Sequence, residues 1–207
     1  MIQVIENFLP DAHTERERAL AATYRTTVHN DLTYRGISEQ DEGPECARLR
    51  QVLNFEGGHI TTGYRRYLED EENETYIHAD ADIADWTGVL FLSRPEDSRG
   101  GTAFWRYRPY NWLGVPTKEM LLEQGLDDAP NLWKRVLTEG QEERHWQMWD
   151  YVPMGFNRLV LFPSALFHSR YPKRAFGTET ADSRLIKFYF IKLPAPDPAE
   201  ALRARAM

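Results

Sequence analysis

The chain has 207 residues, which suits one domain with room for an insertion. Its 25 Lys and Arg against 32 Asp and Glu give a net charge of −7, a balance that argues against nonspecific nucleic-acid binding, which needs a basic footprint. One cysteine, Cys46, excludes an internal disulfide and fits a reducing compartment, while 10 Phe, 10 Tyr and 6 Trp supply a sizeable core.

No apolar stretch approaches the roughly 20 residues a membrane span requires, and the first residues lack the charged and apolar regions of a signal peptide. A cytoplasmic location is the expectation. Residues 2–8 alternate like a strand. Thr14, with Glu17 three residues on, predicts a capping box and a helix to about residue 25. Residues 26–44 are mixed and polar and predict a loop with short strands; 45–54 predict a helix. Residues 58–68 alternate as a strand, with Tyr64 and Arg66 on the face opposite Arg65 and Tyr67. An acidic turn follows, then a strand over 76–82. The unbroken apolar run from residue 86 to 93 predicts a central strand covered on both faces, and 102–107 a returning strand.

Residues 109–152 interrupt this strand pattern. Two helices are predicted there, about 117–124 and 130–139, with Gly125 and Gly140 where C-terminal caps belong. Five of the six Trp lie between residues 105 and 149. They pack the insertion on the body of the protein, or they form a lid whose aromatics shape a pocket and offer a dimer surface. Residues 158–162 and 184–192 complete the strands. Residues 1–194 are thus one domain, and 195–207 a tail. Many strands, few helices and a mid-chain insertion predict a mainly β (α+β) fold: a two-sheet jelly roll of the double-stranded β-helix, cupin-like type, with N-terminal helices.

The chemistry concentrates in His78, Asp80 and His168. Alternation places His78 and Asp80 on one side of a strand, and His168 follows 88 residues after Asp80 at the end of an apolar run. Inward His and Asp with no partner would be costly, and a metal supplies the partner. Two imidazoles and one carboxylate on one face of a non-haem iron leave three positions open for chemistry. Arg184 opens the last strand on the side of Ile186, Phe188 and Phe190, while Lys187 has the opposite parity and points outward.

These residues resemble a known family. His78-Ala79-Asp80, Gly100-Gly101-Thr102, Phe162-Pro163 with His168, and then Arg184 are similar to the motifs of the Fe(II)/2-oxoglutarate-dependent dioxygenases, on the prolyl 4-hydroxylase-like branch. The resemblance spans most of the chain. It implies Fe(II) held by His78, Asp80 and His168, 2-oxoglutarate and O2 as cosubstrates, and Arg184 on the distal carboxylate of 2-oxoglutarate through paired hydrogen bonds. Arg184 follows His168 by 16 residues rather than the family's usual ten or so, which leaves Arg170, Lys173 and Arg174 as rivals. Tyr64 or Tyr67 would contact the cosubstrate. Thr102, Trp105 and Arg106 would face the substrate. Relatives that halogenate carry Ala or Gly in place of the acid, so Asp80 implies hydroxylation or desaturation. The substrate would be an amino acid, a peptidyl residue or another small molecule. Two rival readings stand: another cupin-like metalloenzyme, an isomerase or zinc hydrolase that does not use 2-oxoglutarate, and a non-catalytic binding domain.

Overall fold

The computed structural model describes residues 1–29, 32–71, 75–126 and 129–195. The expected tail therefore lies, apart from Ala195, outside the described residues, as does part of the acidic turn. Among the described residues, ten strands form two antiparallel sheets. The larger contains β1 (Gln3–Ile5), β2 (Arg25–His29), β3 (Leu32–Gln40), β4 (His59–Tyr67), β5 (Trp86–Phe91), β8 (Leu159–Pro163) and β10 (Arg184–Lys192), in the order β1-β8-β5-β10-β4-β3-β2. The smaller contains β6 (Gly101–Tyr107), β7 (Trp146–Pro153) and β9 (His168–Tyr171), in the order β7-β6-β9. A lone bridge between His78 and His168 adds a further rung to its edge. The chain passes from β4 to residue 78 to β5, and from β8 to β9 to β10, changing sheet each time. That alternation between facing sheets is a double-stranded β-helix.

Alternating side chains build the layers. Phe91, Phe104, Val160, Phe162 and Ile186 meet between the sheets. Leu90, Leu159, Leu161 and Tyr189 project from the outer face of the larger sheet, where α1 (Ala12–Ala21) and α2 (Glu45–Leu53) cover them with Ala19 and Leu49. The unbroken apolar run of β5 follows from this: it lies between β8 and β10 and is buried on both sides.

Several elements differ from the sequence expectation. α1 begins at Ala12, because the Asp11 carboxylate, not Thr14, caps it by accepting from the Thr14 N–H at 3.0 Å. In the stretch 26–44, expected to be a loop with short strands, the strands are β2 and the nine-residue β3, and they extend the larger sheet. Residues 76–82 are not a strand. After the bridge at His78, the Asp80 N–H donates to Ser164 O and the Asp80 carbonyl accepts from Ile83 and Ala84, which turns the chain. The two helices expected in the insertion are α3 (Lys118–Glu123) and α4 (Ala129–Glu139), but the interruption of the strand pattern ends earlier than residue 152, because Trp146–Pro153 is β7, paired with β6. Lys187 does point away from the barrel interior, yet it is buried. It lies under α1 and α2, with Nζ 2.5 Å from Glu15 and 2.6 Å from Glu45.

The insertion packs on the outer face of the smaller sheet. Val136 of α4 is buried against a cluster of Tyr76, Ile77, Trp105, Tyr107, Trp112, Trp146 and Phe167. It buttresses the sheet and is not a lid over the barrel mouth. Gly140 makes the close packing feasible: its carbonyl accepts from the Ile77 N–H at 3.0 Å, and a Cβ on it would come within 2.3 Å of the Ile77 carbonyl oxygen. Among the described residues, no helix is long and apolar enough to cross a membrane.

Candidate active site

His78, Asp80 and His168 converge at one end of the space between the sheets, their ligand atoms all within 4.8 Å of one another. His78 Nε2 lies 3.5 Å from Asp80 Oδ1, and His168 Nε2 lies 3.3 Å from Asp80 Oδ2. Ligands about 2.1 Å from one metal in neighbouring positions stand roughly 3 Å apart, so little movement is needed. The outer nitrogens fix the rings. His78 Nδ1 lies 2.9 Å from Tyr76 O, and His168 Nδ1 lies 3.0 Å from Leu166 O. A carbonyl only accepts, so each Nδ1 carries the proton and each Nε2 presents its lone pair to the carboxylate.

Asp80 is held in turn. The Thr87 hydroxyl donates to Asp80 Oδ2 at 2.9 Å and lies 2.8 Å from Ser164 Oγ, and the Asp80 N–H donates to Ser164 O at 2.8 Å. Burial, then repulsion from His168, lowers the His78 pKa to about 4 against the attraction of Asp80. Burial pushes the Asp80 carboxyl up, but the attraction of His168 and His78 and the Thr87 hydrogen bond outweigh it and bring it down to about 2. The Asp80 carboxylate set beside two ring nitrogens makes a place that stabilises positive charge. A divalent metal fits that donor set.

A cavity of about 350 Å³ runs from this cluster between the sheets. Its walls include Thr87 and Val89 of β5, Arg65 and Tyr67 of β4, Thr102 of β6 and Arg170 of β9. Arg184, Ile186, Phe188 and Phe190 of β10 also line it, and Thr27 and Tyr34 of β2 and β3 lie toward one side. Arg184 faces Tyr67 directly across the β4–β10 pairing, and its guanidinium lies 5.2 Å from the Phe91 ring. It is 4 % exposed, and neither Nε nor Nη1 has a hydrogen-bond partner. Burial lowers its pKa to about 10, which leaves it charged at neutral pH. Thr102 Oγ1 is likewise buried without a partner.

Of the other residues singled out from sequence, Tyr67, Thr102 and Arg170 line the cavity, and Tyr64, Trp105, Arg106, Lys173 and Arg174 do not. Tyr64 is on the outer face of the larger sheet, where its hydroxyl donates to Glu15 at 2.7 Å; it follows the even-numbered parity of β4, which faces the helices. Trp105 is on the outer face of the smaller sheet, packed under the insertion, with its indole N–H on Ser169 Oγ at 2.9 Å. The Arg106 guanidinium turns to Asn111 at 3.1 Å and is not part of the cavity wall. Lys173 is drawn outside to the Gln141 carbonyl at 2.6 Å. Thr87, Ser164, Arg65 and Tyr34 were not among the site residues read from the sequence. Thr87 carried the one available signal, as a polar residue on the inward parity of an otherwise apolar strand.

No protein-family model matches the chain, and no curated protein matches it. Solved structures with a similar course of the chain do exist. HygX from Streptomyces hygroscopicus, crystallised with nickel and 2-oxoglutarate bound, is 15% identical over 93% of this chain and 82% of that one, with a TM-score of 0.48. IDO from Bacillus thuringiensis is 8% identical over 94% of this chain and 91% of that one, with a TM-score of 0.47. A Pseudomonas putida prolyl-4-hydroxylase is 15% identical over 94% and 93%, with a TM-score of 0.39. At these identities the chemistry of the cavity has to be argued from its own residues.

Proposed function

We propose that this protein is a non-haem Fe(II)/2-oxoglutarate-dependent oxygenase that hydroxylates a small-molecule or peptidyl substrate. One observation carries the reading. A cavity has a His-Asp-His donor set at one end and a buried, unpartnered guanidinium, Arg184, elsewhere in its wall. An α-keto diacid is a ligand that answers both, with one carboxylate and its keto oxygen for the metal and the other carboxylate for the cation.

His78, Asp80 and His168 would hold the iron, with Thr87 and Ser164 fixing the carboxylate. Arg184 would grip the far carboxylate, as a guanidinium does with two parallel hydrogen bonds, and Thr102 Oγ1 and Tyr67 stand where they can add to that grip. Val89, Ile186, Phe188 and Phe190 wall the space with apolar surface that excludes water and strengthens these contacts. When bound, iron with 2-oxoglutarate and O2 supplies an oxidant that puts one oxygen atom into a substrate C–H bond and the other into succinate, with loss of CO2.

The test is anaerobic titration of the metal-free protein with Fe(II) and then 2-oxoglutarate, following the visible charge-transfer band of the chelate. The expected result is a band in the wild type, no band in His168→Ala, and at least tenfold more 2-oxoglutarate needed in Arg184→Ala. No band at saturating iron and cosubstrate would overturn the reading.

A further inference from the structure

The cavity holds more positive charge than this cosubstrate uses. Arg170 is two residues past His168 on β9, hence on the same face of that strand, and it lines the cavity. Its guanidinium lies between two rings, 5.2 Å from the centroid of Tyr67 and 5.9 Å from that of Tyr76. Its Nε is buried without a hydrogen-bond partner. Arg65 lies over the same Tyr67 ring, 4.3 Å from its centroid.

Charge bookkeeping shows what is left over. The two charges of a ferrous ion, set against Asp80 and both carboxylates of 2-oxoglutarate, leave one net negative charge, and Arg184 balances it. Arg170 is then an additional cation in a partly dry wall: the charge of Glu71 acts on it, but its buried Nε has no hydrogen-bond partner, and a ligand can supply that bond. The net charge of −7 over the whole chain makes the local excess more telling, because an acidic protein repels anions except where its cavity concentrates cations. Tyr34, Tyr67, Phe188 and Phe190 give the same space ring surfaces.

Resting on the oxygenase reading above, we infer that the substrate carries an anionic group, a carboxylate or a phosphate, and that Arg170 binds it. The planar guanidinium, held between Tyr67 and Tyr76, matches either group with paired hydrogen bonds. Arg170 is thus a specificity-determining residue, separate in its task from Arg184.

The experiment uses nickel-loaded protein, which does not turn over, saturated with 2-oxoglutarate. Benzoate, phenylphosphonate and the neutral benzamide are titrated by calorimetry into wild type, Arg170→Gln and Arg184→Gln, and 2-oxoglutarate itself is titrated into the nickel-loaded form of each. Wild type is expected to bind at least one of the two anions at least tenfold more tightly than benzamide. Arg170→Gln is expected to lose that preference while its 2-oxoglutarate affinity stays within threefold of wild type; Arg184→Gln is expected to lose the cosubstrate. Arg170→Lys, which keeps the charge but not the fork, is expected to retain part of the preference, and it carries the test if Arg170→Gln does not fold. The inference is overturned if wild type binds neither anion or binds all three probes alike, if Arg170→Gln keeps the preference, or if it loses 2-oxoglutarate as Arg184→Gln does. Failure of wild type to bind 2-oxoglutarate would sink the oxygenase reading instead, and the anion titrations of the nickel-loaded protein would still decide Arg170.

Discussion

Thr87 sits at the start of an apolar strand, and its hydroxyl touches Asp80 and Ser164 together. Removing it leaves the fold's packing nearly unchanged but frees the carboxylate to rotate away from the imidazoles. Thr87→Val should therefore weaken metal binding by about 10–100-fold, the usual effect of losing a hydrogen bond that orients a ligand, while the melting temperature of the metal-free protein changes little. Calorimetric titration with Mn(II) checks the first part and thermal denaturation the second. The residue scale also gives a pH dependence. His78 has a pKa lowered to about 4 from the ordinary 6.5, burial being the largest cause. Between these values the unfolded chain takes up a proton that the folded, metal-free protein does not, so stability falls as pH drops through this window and is unaffected above it. Denaturant titrations of metal-free protein should show a loss of about 3 kcal/mol from this group, and the loss should be absent in His78→Gln.

At the scale of elements, the His78 end of the His-Asp-His cluster is braced by a helix outside the cluster. The end of α4 meets the segment before His78 through Gly140, whose carbonyl takes the Ile77 N–H. A methyl group there would collide with the Ile77 carbonyl. Gly140→Ala should push residues 76–78 outward, weaken Mn(II) binding at least tenfold and lower the melting temperature by several degrees. Unchanged metal affinity in a folded variant would show that the insertion only fills space. The same elements mark the limits of reading the sequence. Gly140 was legible as a glycine that a helix end wants. Its actual task is close approach to a segment 63 residues earlier in the chain, and no local pattern encodes that. The parity of β4 was legible too, with Tyr64 and Tyr67 on opposite faces. Which face was the inner one followed only once α1 and α2 were seen to cover the Tyr64 side.

Across the whole molecule, the larger sheet separates two polar centres. One is the cavity. The other is Lys187 between Glu15 and Glu45 beneath the helices, with the Tyr64 hydroxyl on Glu15. Burial raises the Glu15 pKa, but hydrogen bonds from Lys187 and Tyr64 and the lysine's charge outweigh it and lower it overall. Lys187→Ala would strand two carboxylates in the core, and breaking such a pair costs about 3–5 kcal/mol, or roughly 10 °C in melting temperature for a chain of this size. Because the defect lies on the far side of the sheet, Fe(II) and 2-oxoglutarate affinities at a temperature where the variant is folded should stay within a few-fold of wild type. A large loss of cosubstrate affinity would mean the two centres are coupled.

The sequence by itself determined the strand-rich class, the central place of β5 and the inward face of β10. It also singled out His78, Asp80 and His168, because the short list of side chains that ligate metals is a local property, although the strand expected to carry the first two is a single bridge and a turn. Only the tertiary structure decided which tyrosine faces the cavity, that the Trp-rich insertion packs on the outer face of the smaller sheet, that β2 and β3 contribute to the cavity wall, and that Arg170 joins Arg184 inside it. Each of these depends on which face of an element another element covers. That is settled by contacts between residues far apart in the chain, and hydrophobic patterning records only that a face is buried, not what buries it.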